Sequence, residues 1–361
     1  MINREFWNGK RVLLTGHTGF KGGWMCLWLS DMGAHVTGLA LDPETDPSLF
    51  GSARIHELVE DYRGDIGDKK IVDAAFDEAA PEIVFHMAAQ PLVRRSYRDP
   101  VETYRTNVVG TAHVLDAARR CDSVRSIVVV TTDKCYHNNE WEWAYRETDR
   151  LGGKDPYSNS KACTEFVAAS FRESFFCSDA ASGIGTDARL ATARAGNVIG
   201  GGDWSEDRLV PDIIRSLIAS EPIEIRNPSA TRPWQHVIEP LCGYLILAER
   251  LWNGECQSAY NFGPEPENEL TVAELVDQLS SGFRNAGGSV VSKADHPKEA
   301  QFLRLDSSRA KVELRWHPAF SLDDTLTFTS NWFNAWMNNE DMREHSIRQI
   351  HDYETKFLLG N

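Results

Sequence analysis

The chain has 361 residues, of which 42% are hydrophobic and 25% charged, and its formal net charge is −15. This composition is typical of a soluble globular protein with one large domain or two unequal ones, and the negative charge disfavours nucleic acid as a partner. No apolar run approaches the ~20 residues that span a membrane. The seven dispersed cysteines favour free thiols over disulfides or a metal site, and so predict a reducing, cytoplasmic location.

Short apolar runs alternate with amphipathic stretches in the first half of the chain. The apolar runs predict strands over residues 11–15, 35–41, 83–87, 127–132 and 188–195. Helical spacing of apolar residues predicts helices over 21–32, 69–78 and 101–120. Strands separated by helices of this length predict an α/β fold, a doubly wound parallel sheet with helices on both faces.

A glycine-rich turn follows the first predicted strand. Gly16, Gly19 and Gly22 have the spacing G-x-x-G-x-x-G between this strand and the next helix. Glycines let the backbone approach a pyrophosphate, and the free N–H groups of the helix start attract an anion. The strand before and the helix after make a turn without a ligand the weaker interpretation. We therefore expect a dinucleotide on Gly16, His17, Thr18, Gly19, Phe20, Lys21 and Gly22.

The rest of the dinucleotide should lie along the ends of the following strands. Asp42 follows the second strand and is the candidate for the ribose hydroxyls, although a solvated turn is nearly as good an interpretation. No arginine stands beside it in the sequence to bind a 2′-phosphate, which favours NAD over NADP. Further candidates for contact with the cofactor are Asp65, Ile66, Ala88, Ala89 and Gln90.

The second half of the chain is rich in proline, tryptophan and loop residues. Helices are predicted there over 210–219, 240–251, 271–284 and 322–337. We expect a smaller mixed α/β substrate domain after the nucleotide-binding domain, with the chain crossing between them more than once. The expected nucleotide-binding domain is 1–195 plus roughly 236–262, and the expected substrate domain is 196–235 and 263–361.

Tyr157 and Lys161 stand four residues apart, so a helix places both on one face. Asp155 is a suitable cap for this helix, and Pro156 suits its first turn. A neighbouring ammonium group lowers the pKa of a phenol, which makes tyrosine a better base near neutral pH. The spacing is common on solvated helices, but together with the glycine turn it predicts nicotinamide chemistry on an alcohol.

Three motifs together resemble the extended short-chain dehydrogenase/reductase family: the glycine turn, Asn107-Val108-x-Gly110-Thr111 and Tyr157-x-x-x-Lys161. The resemblance covers most of the chain. It implies a Rossmann domain with NAD as cofactor, a smaller nucleotide-sugar domain, and cofactor contacts from Asn107 and Thr131 as well as Tyr157 and Lys161. It also implies a homodimer or a dimer of dimers, built on the helices at 101–120 and 157–170.

The segment Thr132-Asp133-Lys134 narrows the expected reaction. Sugar epimerases that resemble this chain usually carry Ser there, and 4,6-dehydratases carry Thr-Asp-Glu. The lysine version resembles the dehydratases that act on CDP-glucose, which implies CDP-glucose as the substrate. Thr132 would bind the sugar hydroxyl, and Tyr157 would take its proton during oxidation at C4.

Loss of water across C5 and C6 would then need an acid and a base from Asp133 and Lys134. An ion pair between them would shift both pKa values away from those roles. Either Lys134 is the base for the C5 proton, or Asp133 moves protons both ways while Lys134 positions the site.

A nucleoside diphosphate brings about two negative charges, so arginines should converge on it. The resemblance implies a diphosphate contact from Asn197. Arg232 is the best candidate for a diphosphate ligand and Arg304 the second, whereas a surface charge is an equally good interpretation of Arg208. The full set of expected substrate residues is Arg94, Asn197, Arg208, Leu209, Val210, Arg232, Tyr260 and Arg304.

Two other functions compete with this interpretation. One is another nucleotide-sugar enzyme of the same fold, either a 4-epimerase or a dehydratase for GDP-mannose, dTDP-glucose or a UDP-sugar, and Thr132-Asp133-Lys134 counts against each of these. The other is an NAD-binding regulator without activity. Such regulators typically lack the tyrosine or the lysine, and this chain has both Tyr157 and Lys161.

Overall fold

The computed structural model describes residues 2–176, 186–255, 258–265, 269–283, 289–291 and 303–360. The strands are β1 (Arg11–Thr15), β2 (His35–Ala40), β3 (Glu60–Arg63), β4 (Ile83–His86), β5 (Ser126–Val130), β6 (Arg189–Ala195), β7 (Val198–Ile199), β8 (Ile223–Ile225), β9 (Thr231–Pro233), β10 (Gln235–His236), β11 (Ala259–Phe262), β12 (Glu269–Thr271) and β13 (Ser289–Val291).

The α-helices are α1 (Arg4–Trp7), α2 (Phe20–Asp31), α3 (Leu49–Ser52), α4 (Lys69–Ala79), α5 (Val93–Arg98), α6 (Pro100–Tyr104), α7 (Thr111–Arg120), α8 (Pro156–Phe175), α9 (Leu209–Ala219), α10 (Ile238–Asn253), α11 (Val272–Ser281), α12 (Leu322–Met337) and α13 (Met342–Gly360). A π-helical segment, Arg105–Gly110, joins α6 to α7. In the part of the chain that the structure describes, no helix is both long and apolar enough to cross a membrane.

Within the described ranges, seven strands form the central sheet in the order β11-β6-β5-β4-β1-β2-β3. All neighbours in this sheet are parallel. The predicted doubly wound Rossmann sheet is thus confirmed. The strand order reverses between β1 and β4, and doubly wound folds bind ligands at the carboxyl ends of such strands.

Three features differ from the sequence-based expectation. The edge strand β3 has no apolar run, because three of its four residues are exposed to solvent. The single helix expected over 101–120 is α6, the π-helical segment and α7 in succession. Helix α13 was not predicted, and position 284 of the helix expected over 271–284 lies outside the described residues.

The two expected domains share one hydrophobic core. Trp24 of α2, Leu241 of α10 and Trp332 of α12 belong to the same buried cluster. Helix α10 packs against β5 and β6, and β11 pairs with β6, so this later segment of the chain completes the central sheet. The domain boundaries themselves stay a prediction.

The cysteines that the structure describes are free thiols: Cys26, Cys121, Cys135, Cys163 and Cys242. Cys177 and Cys256 lie outside the described residues. Among the residues described, no group of three or more His, Cys, Asp or Glu side chains could hold a metal ion.

A buried carboxylate joins α10 to the C-terminal helices. Glu239 is almost inaccessible to solvent. Its Oε1 accepts the backbone N–H groups of Ala319 (2.8 Å) and Phe320 (2.6 Å), and its Oε2 accepts the hydroxyl of Tyr353 (2.8 Å). Burial raises the pKa of Glu239 to about 7, although these hydrogen bonds oppose the shift.

We expect the free energy of unfolding to depend on the ionisation of Glu239. The folded protein holds this proton up to about pH 7, whereas the unfolded chain releases it near its ordinary pKa of about 4.3. The native state is therefore stabilised at low pH, and this contribution is lost as the pH rises through that window. Glu239→Gln removes the titration and keeps the shape. Urea unfolding should show the wild type losing about 3 kcal/mol relative to Glu239→Gln between pH 4.5 and 8. Parallel pH profiles would contradict this role.

Candidate active site

The glycine turn after β1 is packed so closely against neighbouring backbone that a side chain would not fit at two of its positions. Gly16 has φ +82°, and a Cβ there would lie 2.8 Å from the backbone nitrogen of Ala88. A Cβ on Gly22 would lie 2.1 Å from the carbonyl oxygen of Gly16. Ala88 and Ala89 are half-buried beside the turn. The turn is thus packed against Ala88 and against the start of α2 as tightly as only glycine allows, which is the geometry of a pyrophosphate-binding turn, and the residues present fit a dinucleotide.

Two side chains of the turn point into the protein. The buried ring of His17 contacts Asp61 through Nε2 (2.8 Å), and it lies where a Cβ on Gly38 would be. Burial lowers the pKa of His17, although Asp61 opposes the shift. The hydroxyl of Thr18 donates to the carbonyl of Leu41 (2.9 Å). Side-chain contact of either residue with the cofactor stays a prediction.

Asp42 is placed as expected, at the end of β2, and its side chain is 90% exposed. The sequence suggested no arginine beside it, and this was wrong. Arg63 of the neighbouring strand β3 lies 3.4 Å from the Asp42 carboxylate and 2.8 Å from that of Asp61. Parallel pairing brings Arg63 opposite Ala40, close to the end of β2. The carboxylates of Asp42 and Asp61 already neutralise Arg63, and they would repel a 2′-phosphate that approached it.

The pair Asp65 and Ile66, expected near the adenine, is tied to the surrounding chain. The Asp65 carboxylate accepts the N–H of Gly67 (2.7 Å) and pairs with Arg105 (2.9 Å). Ile66 is buried, and its side chain lies where a Cβ on Gly110 would be. Both residues are therefore fixed by neighbouring parts of the chain, and contact with the adenine stays a prediction.

Asn107, expected to contact the cofactor, is used within the protein. Its Oδ1 accepts the N–H of Gln90 (2.8 Å), and its Nδ2 donates to the hydroxyl of Ser160 on α8 (2.9 Å) and to the carbonyl of Gln90 (3.1 Å). The wide π-helical turn also leaves its carbonyl to accept the hydroxyls of Thr111 (2.6 Å) and Thr164 (2.8 Å). Asn107 thus positions the loop after β4 against α8.

Tyr157 and Thr132 meet at the carboxyl ends of the strands. The Asp155 carboxylate caps α8 by accepting the N–H of Ser158 (2.9 Å), as the sequence predicted. Tyr157, in the first turn, is buried. Burial raises the pKa of its phenol to about 12, which a hydrogen bond with Thr132 and the charge of Arg208 offset only in part. The expectation that Lys161 lowers this pKa is not met, because burial is the larger effect.

Lys161 lies one turn further along α8. Its Nζ donates to the carbonyl of Val130 at the end of β5 (3.1 Å). Burial lowers the pKa of Lys161 to about 8, and the charge of Glu165 opposes this shift. Tyr157 and Lys161 therefore share one buried helix face beside the sheet, as their spacing predicted.

Asp133 and Lys134 form the ion pair that the sequence raised as a possibility. The buried Asp133 carboxylate accepts the Thr132 hydroxyl (2.9 Å) and lies 3.5 Å from the Lys134 ammonium. Lys134 also donates to Oδ1 of Asn197 (3.3 Å). Asn197 thus lies beside the catalytic segment, and its contact with the diphosphate stays a prediction.

Lys21 is closer to this site than the sequence suggested. Phe20 begins α2 and packs its ring against the core, whereas the amine of Lys21 lies 3.4 Å from the hydroxyl of Tyr244. Burial and the charges of Arg208 and Lys161 lower the pKa of Lys21 to about 7. Lys21 of the glycine turn therefore shares the electrostatic environment of Lys161 and Arg208.

Arg232 and Arg304 both lie beside strand β12. Strand β9 places Arg232 opposite Leu270, and Glu269, which precedes Leu270 on β12, pairs with the Arg304 guanidinium. Arg304 also donates to the carbonyl of Glu142 (3.1 Å). Because successive residues of a strand face opposite sides, Glu269 and Leu270 point away from each other. Binding of one diphosphate by both arginines therefore stays a prediction.

Two other predicted arginines pair with carboxylates of the loop before α9. Arg208 lies 3.4 Å from Asp203, and Arg94 lies 3.2 Å from Asp207. Arg94 lies in α5, which follows β4, and Arg208 immediately precedes α9, so these ion pairs connect α5 to the start of α9.

Three other expected substrate residues contribute mainly to packing. Leu209 packs against the core, and Val210 is buried in it. Tyr260 is fully buried on β11, and its hydroxyl donates to Glu313 (2.7 Å). A strand of the central sheet thus directs this side chain into the interior, and its expected contact with the substrate stays a prediction.

The chain is similar to known proteins over most of its length. Residues 13–329 match the family model described as GDP-mannose 4,6 dehydratase. The chain belongs to this family. It is 49% identical, over 98% of both chains, to the CDP-glucose 4,6-dehydratase of Salmonella typhimurium. It is 28% identical, over 89% of this chain and 92% of the relative, to a dTDP-glucose 4,6-dehydratase of Xanthomonas campestris. The predicted membership of the extended short-chain dehydrogenase/reductases is thereby confirmed.

Solved structures of related enzymes share the fold of this dehydratase-family chain. A UDP-glucose 4-epimerase of Thermotoga maritima superposes with TM-score 0.77 at 22% identity, over 90% of this chain and 99% of its own. A dTDP-glucose 4,6-dehydratase of Bacillus anthracis, in complex with NAD, gives TM-score 0.72 at 19% identity, over 93% and 100%. These likenesses establish the Rossmann architecture around the site.

Sequence reasoning missed the buried ion pair behind the site. Arg194 of β6 donates to both carboxylate oxygens of Glu165 on α8 (2.9 and 2.7 Å), and both side chains are 4% exposed. Glu165 also accepts the hydroxyls of Thr131 and Thr192. Burial raises the pKa of Glu165, but Arg194 and these hydrogen bonds outweigh it and hold that pKa below its usual value. The hydroxyl of Thr131, a residue predicted to contact the cofactor, donates to Glu165 in this structure.

Removing Arg194 should strongly destabilise the fold. Arg194→Met leaves the Glu165 carboxylate buried without its counter-ion, which typically costs about 3–5 kcal/mol. Urea unfolding should show this loss, and the double variant Arg194→Met/Glu165→Gln should recover part of it. A double variant as unstable as the sum of the two single variants would contradict coupling between the two side chains.

Proposed function

We propose that the chain is an NAD-dependent CDP-glucose 4,6-dehydratase, which converts CDP-D-glucose to CDP-4-keto-6-deoxy-D-glucose. The observation that carries the proposal is the segment Thr132-Asp133-Lys134 beside Tyr157, in which Thr132 and Asp133 are buried and Lys134 is partly exposed. It places an alcohol-binding hydroxyl, a carboxylate and an ammonium group next to one phenol. The relative that is 49% identical over 98% of the chain bears the same activity in its name.

The cofactor we propose is NAD, held on the cradle of residues 16–22. Gly16 and Gly22 provide the close backbone approach, and Lys161 has N–H donors beyond the one that Val130 accepts. When bound, NAD supplies the reversible oxidation and reduction of the sugar. Asp42 is the proposed ligand of the adenosine ribose, and its charge, with that of Asp61, disfavours a 2′-phosphate near Arg63.

The roles of the chain's own residues follow from their positions. Thr132 binds the C4 hydroxyl, and Tyr157 takes its proton as C4 is oxidised. Thr132 and Arg208 both lower the pKa of the buried phenol, and so favour the phenolate that accepts this proton. The ketone at C4 then makes the C5 proton acidic.

Elimination of water requires a proton to leave C5 and another to reach the C6 oxygen. Asp133 is buried beside Thr132 and can exchange protons at both positions in turn. Lys134 is held between Asp133 and Asn197, which suits it to orient the sugar and the carboxylate. We therefore propose Asp133 as the proton carrier and Lys134 as the positioning residue.

We also propose a homodimer and a cytoplasmic location. Helices α6 and α8 and the π-helical segment pack side by side. They expose Val101 (80%), Val109 (45%) and Phe166 (58%). An apolar surface of this kind supports contact with a second copy of the chain.

A panel of nucleotide sugars tests the reaction. CDP-, dTDP-, GDP- and UDP-sugars are incubated with the holoenzyme, and products are identified by NMR. CDP-glucose should give the 4-keto-6-deoxy sugar most efficiently. Tyr157→Phe, the matched control that lacks one hydroxyl, should lose about 10²–10⁴-fold in rate while it stays folded. A 4-epimer as product, or a preference for another nucleotide, would reject the proposal.

A second experiment separates the roles of Lys134 and Asp133. In deuterated solvent, Lys134→Met should exchange the C5 hydrogen about 10–100-fold more slowly, because one hydrogen bond to a charged group is lost. Asp133→Asn should abolish both C5 exchange and loss of water. Complete loss of C5 exchange in Lys134→Met, with oxidation at C4 intact, would instead identify Lys134 as the base.

A further inference from the structure

A cluster of charged side chains near the proposed substrate site has no part in the proposed reaction. Arg226 directly follows β8, and its guanidinium pairs with Asp207 (3.0 Å) and Asp212 (3.4 Å). Asp207 also accepts a hydrogen bond from Arg94 (3.2 Å). On the other side, Asp212 pairs with Arg215. All five side chains are partly exposed, so a ligand can reach them.

The position of Arg226 relative to the reacting groups follows from the loop before α9. Asp207 immediately precedes Arg208, whose charge lowers the pKa of Tyr157, so Arg208 lies within electrostatic range of the catalytic phenol. Asp207 joins the guanidinium groups of Arg94 and Arg226. A nucleotide sugar is extended, in the order sugar, diphosphate, ribose and base. With its sugar at Tyr157 and its diphosphate at the nearer arginines, its base lies toward Arg226.

Asp207 itself is held in an unusual conformation. Its φ is +58°, in the left-handed region that residues other than glycine rarely adopt. Strain of this kind persists where the surroundings hold the residue in place, and it concentrates at ligand sites. The two ion pairs of Asp207 with Arg94 and Arg226 fix its carboxylate at this point.

The chemistry of the cluster suits a base better than a phosphate. Arg226 pairs with two carboxylates, whereas Arg208 and Arg304 each pair with one, so a diphosphate would be repelled more strongly at Arg226. A cytosine ring instead presents an amino donor at N4 beside acceptors at N3 and O2. A guanidinium fork donates to N3 and O2, and a carboxylate accepts from N4. Uracil and thymine present a donor at N3 and an acceptor at O4, which is the opposite pattern.

We propose that Arg226, together with Asp207, binds the base of the nucleotide sugar and selects cytosine over uracil and thymine. This inference rests on the proposed function and assigns its nucleotide specificity to two residues. The side chain of Arg226 pairs with N3 and O2, and the carboxylate of Asp207 accepts from N4. A site built for these hydrogen bonds rejects a base that leaves its polar groups unpaired.

Binding calorimetry of the holoenzyme with CDP and with UDP tests the proposal. Arg226→Met should weaken CDP binding about 10–100-fold and leave UDP binding nearly unchanged, because one bidentate pair is lost. Asp207→Asn should reduce the same preference. The matched control is Arg98→Met, which removes an arginine that is 61% exposed and pairs with Glu206 on the same loop. It should change neither affinity. The ratio of kcat/KM for CDP-glucose and UDP-glucose should follow the binding preference.

Two outcomes would overturn the inference. Equal weakening of CDP and UDP in Arg226→Met would make Arg226 a phosphate ligand, and unchanged binding in both variants would place the base elsewhere. Failure of the proposed function looks different, because the wild type would then not dehydrate CDP-glucose. Even in that case, a loss of affinity in Arg226→Met that is specific to CDP would support binding of the cytosine base by Arg226.

Discussion

The buried ion pair between Glu165 and Arg194 connects helix α8, which carries the proposed catalytic pair Tyr157 and Lys161, to the sheet. Arg194 belongs to β6, and Glu165 lies one turn after Lys161 on α8. The same carboxylate accepts the hydroxyl of Thr131, the residue before Thr132. One buried carboxylate therefore fixes both sides of the proposed catalytic site. Because an unpaired charge at this depth is so costly, the spacing between helix and strand is tightly defined.

Several of the arginines that are proposed to bind the substrate share a second feature, because each of these forms an ion pair with an acidic side chain. Arg208 pairs with Asp203, and Arg304 pairs with Glu269. A protein with a net charge of −15 thus holds its cationic side chains in place before any anion arrives. A bound diphosphate would exchange one set of anionic contacts for another, so the gain in binding depends on geometry more than on total charge.

Local spacing explains which parts of the fold and site could be predicted from the sequence. The glycine turn and the pair Tyr157 and Lys161 depend on neighbours within one or two helical turns, and the structure places them as expected. Arg63 escaped prediction because only the pairing of β2 with β3 brings it to Asp42.

The same difference between local and distant neighbours explains the other features that the sequence did not predict. The partners of Tyr260 and Asn107 are distant in sequence, so no local pattern shows that their polar groups are already bonded within the protein. The polar edge strand β3 lacks the apolar alternation on which strand prediction depends. Arg194 and Glu165 read as ordinary charged residues until the fold buries them together.

The π-helical segment between α6 and α7 constrains the number of residues in this part of the chain. A π-helical turn contains one residue more than an α-helical turn. Removing that residue would leave an ordinary α-helical turn, without the wider turn in which the Asn107 carbonyl accepts the hydroxyls of Thr111 and Thr164. The identity of exposed residues such as Val109 can therefore vary during evolution more freely than the number of residues between Tyr104 and Thr111.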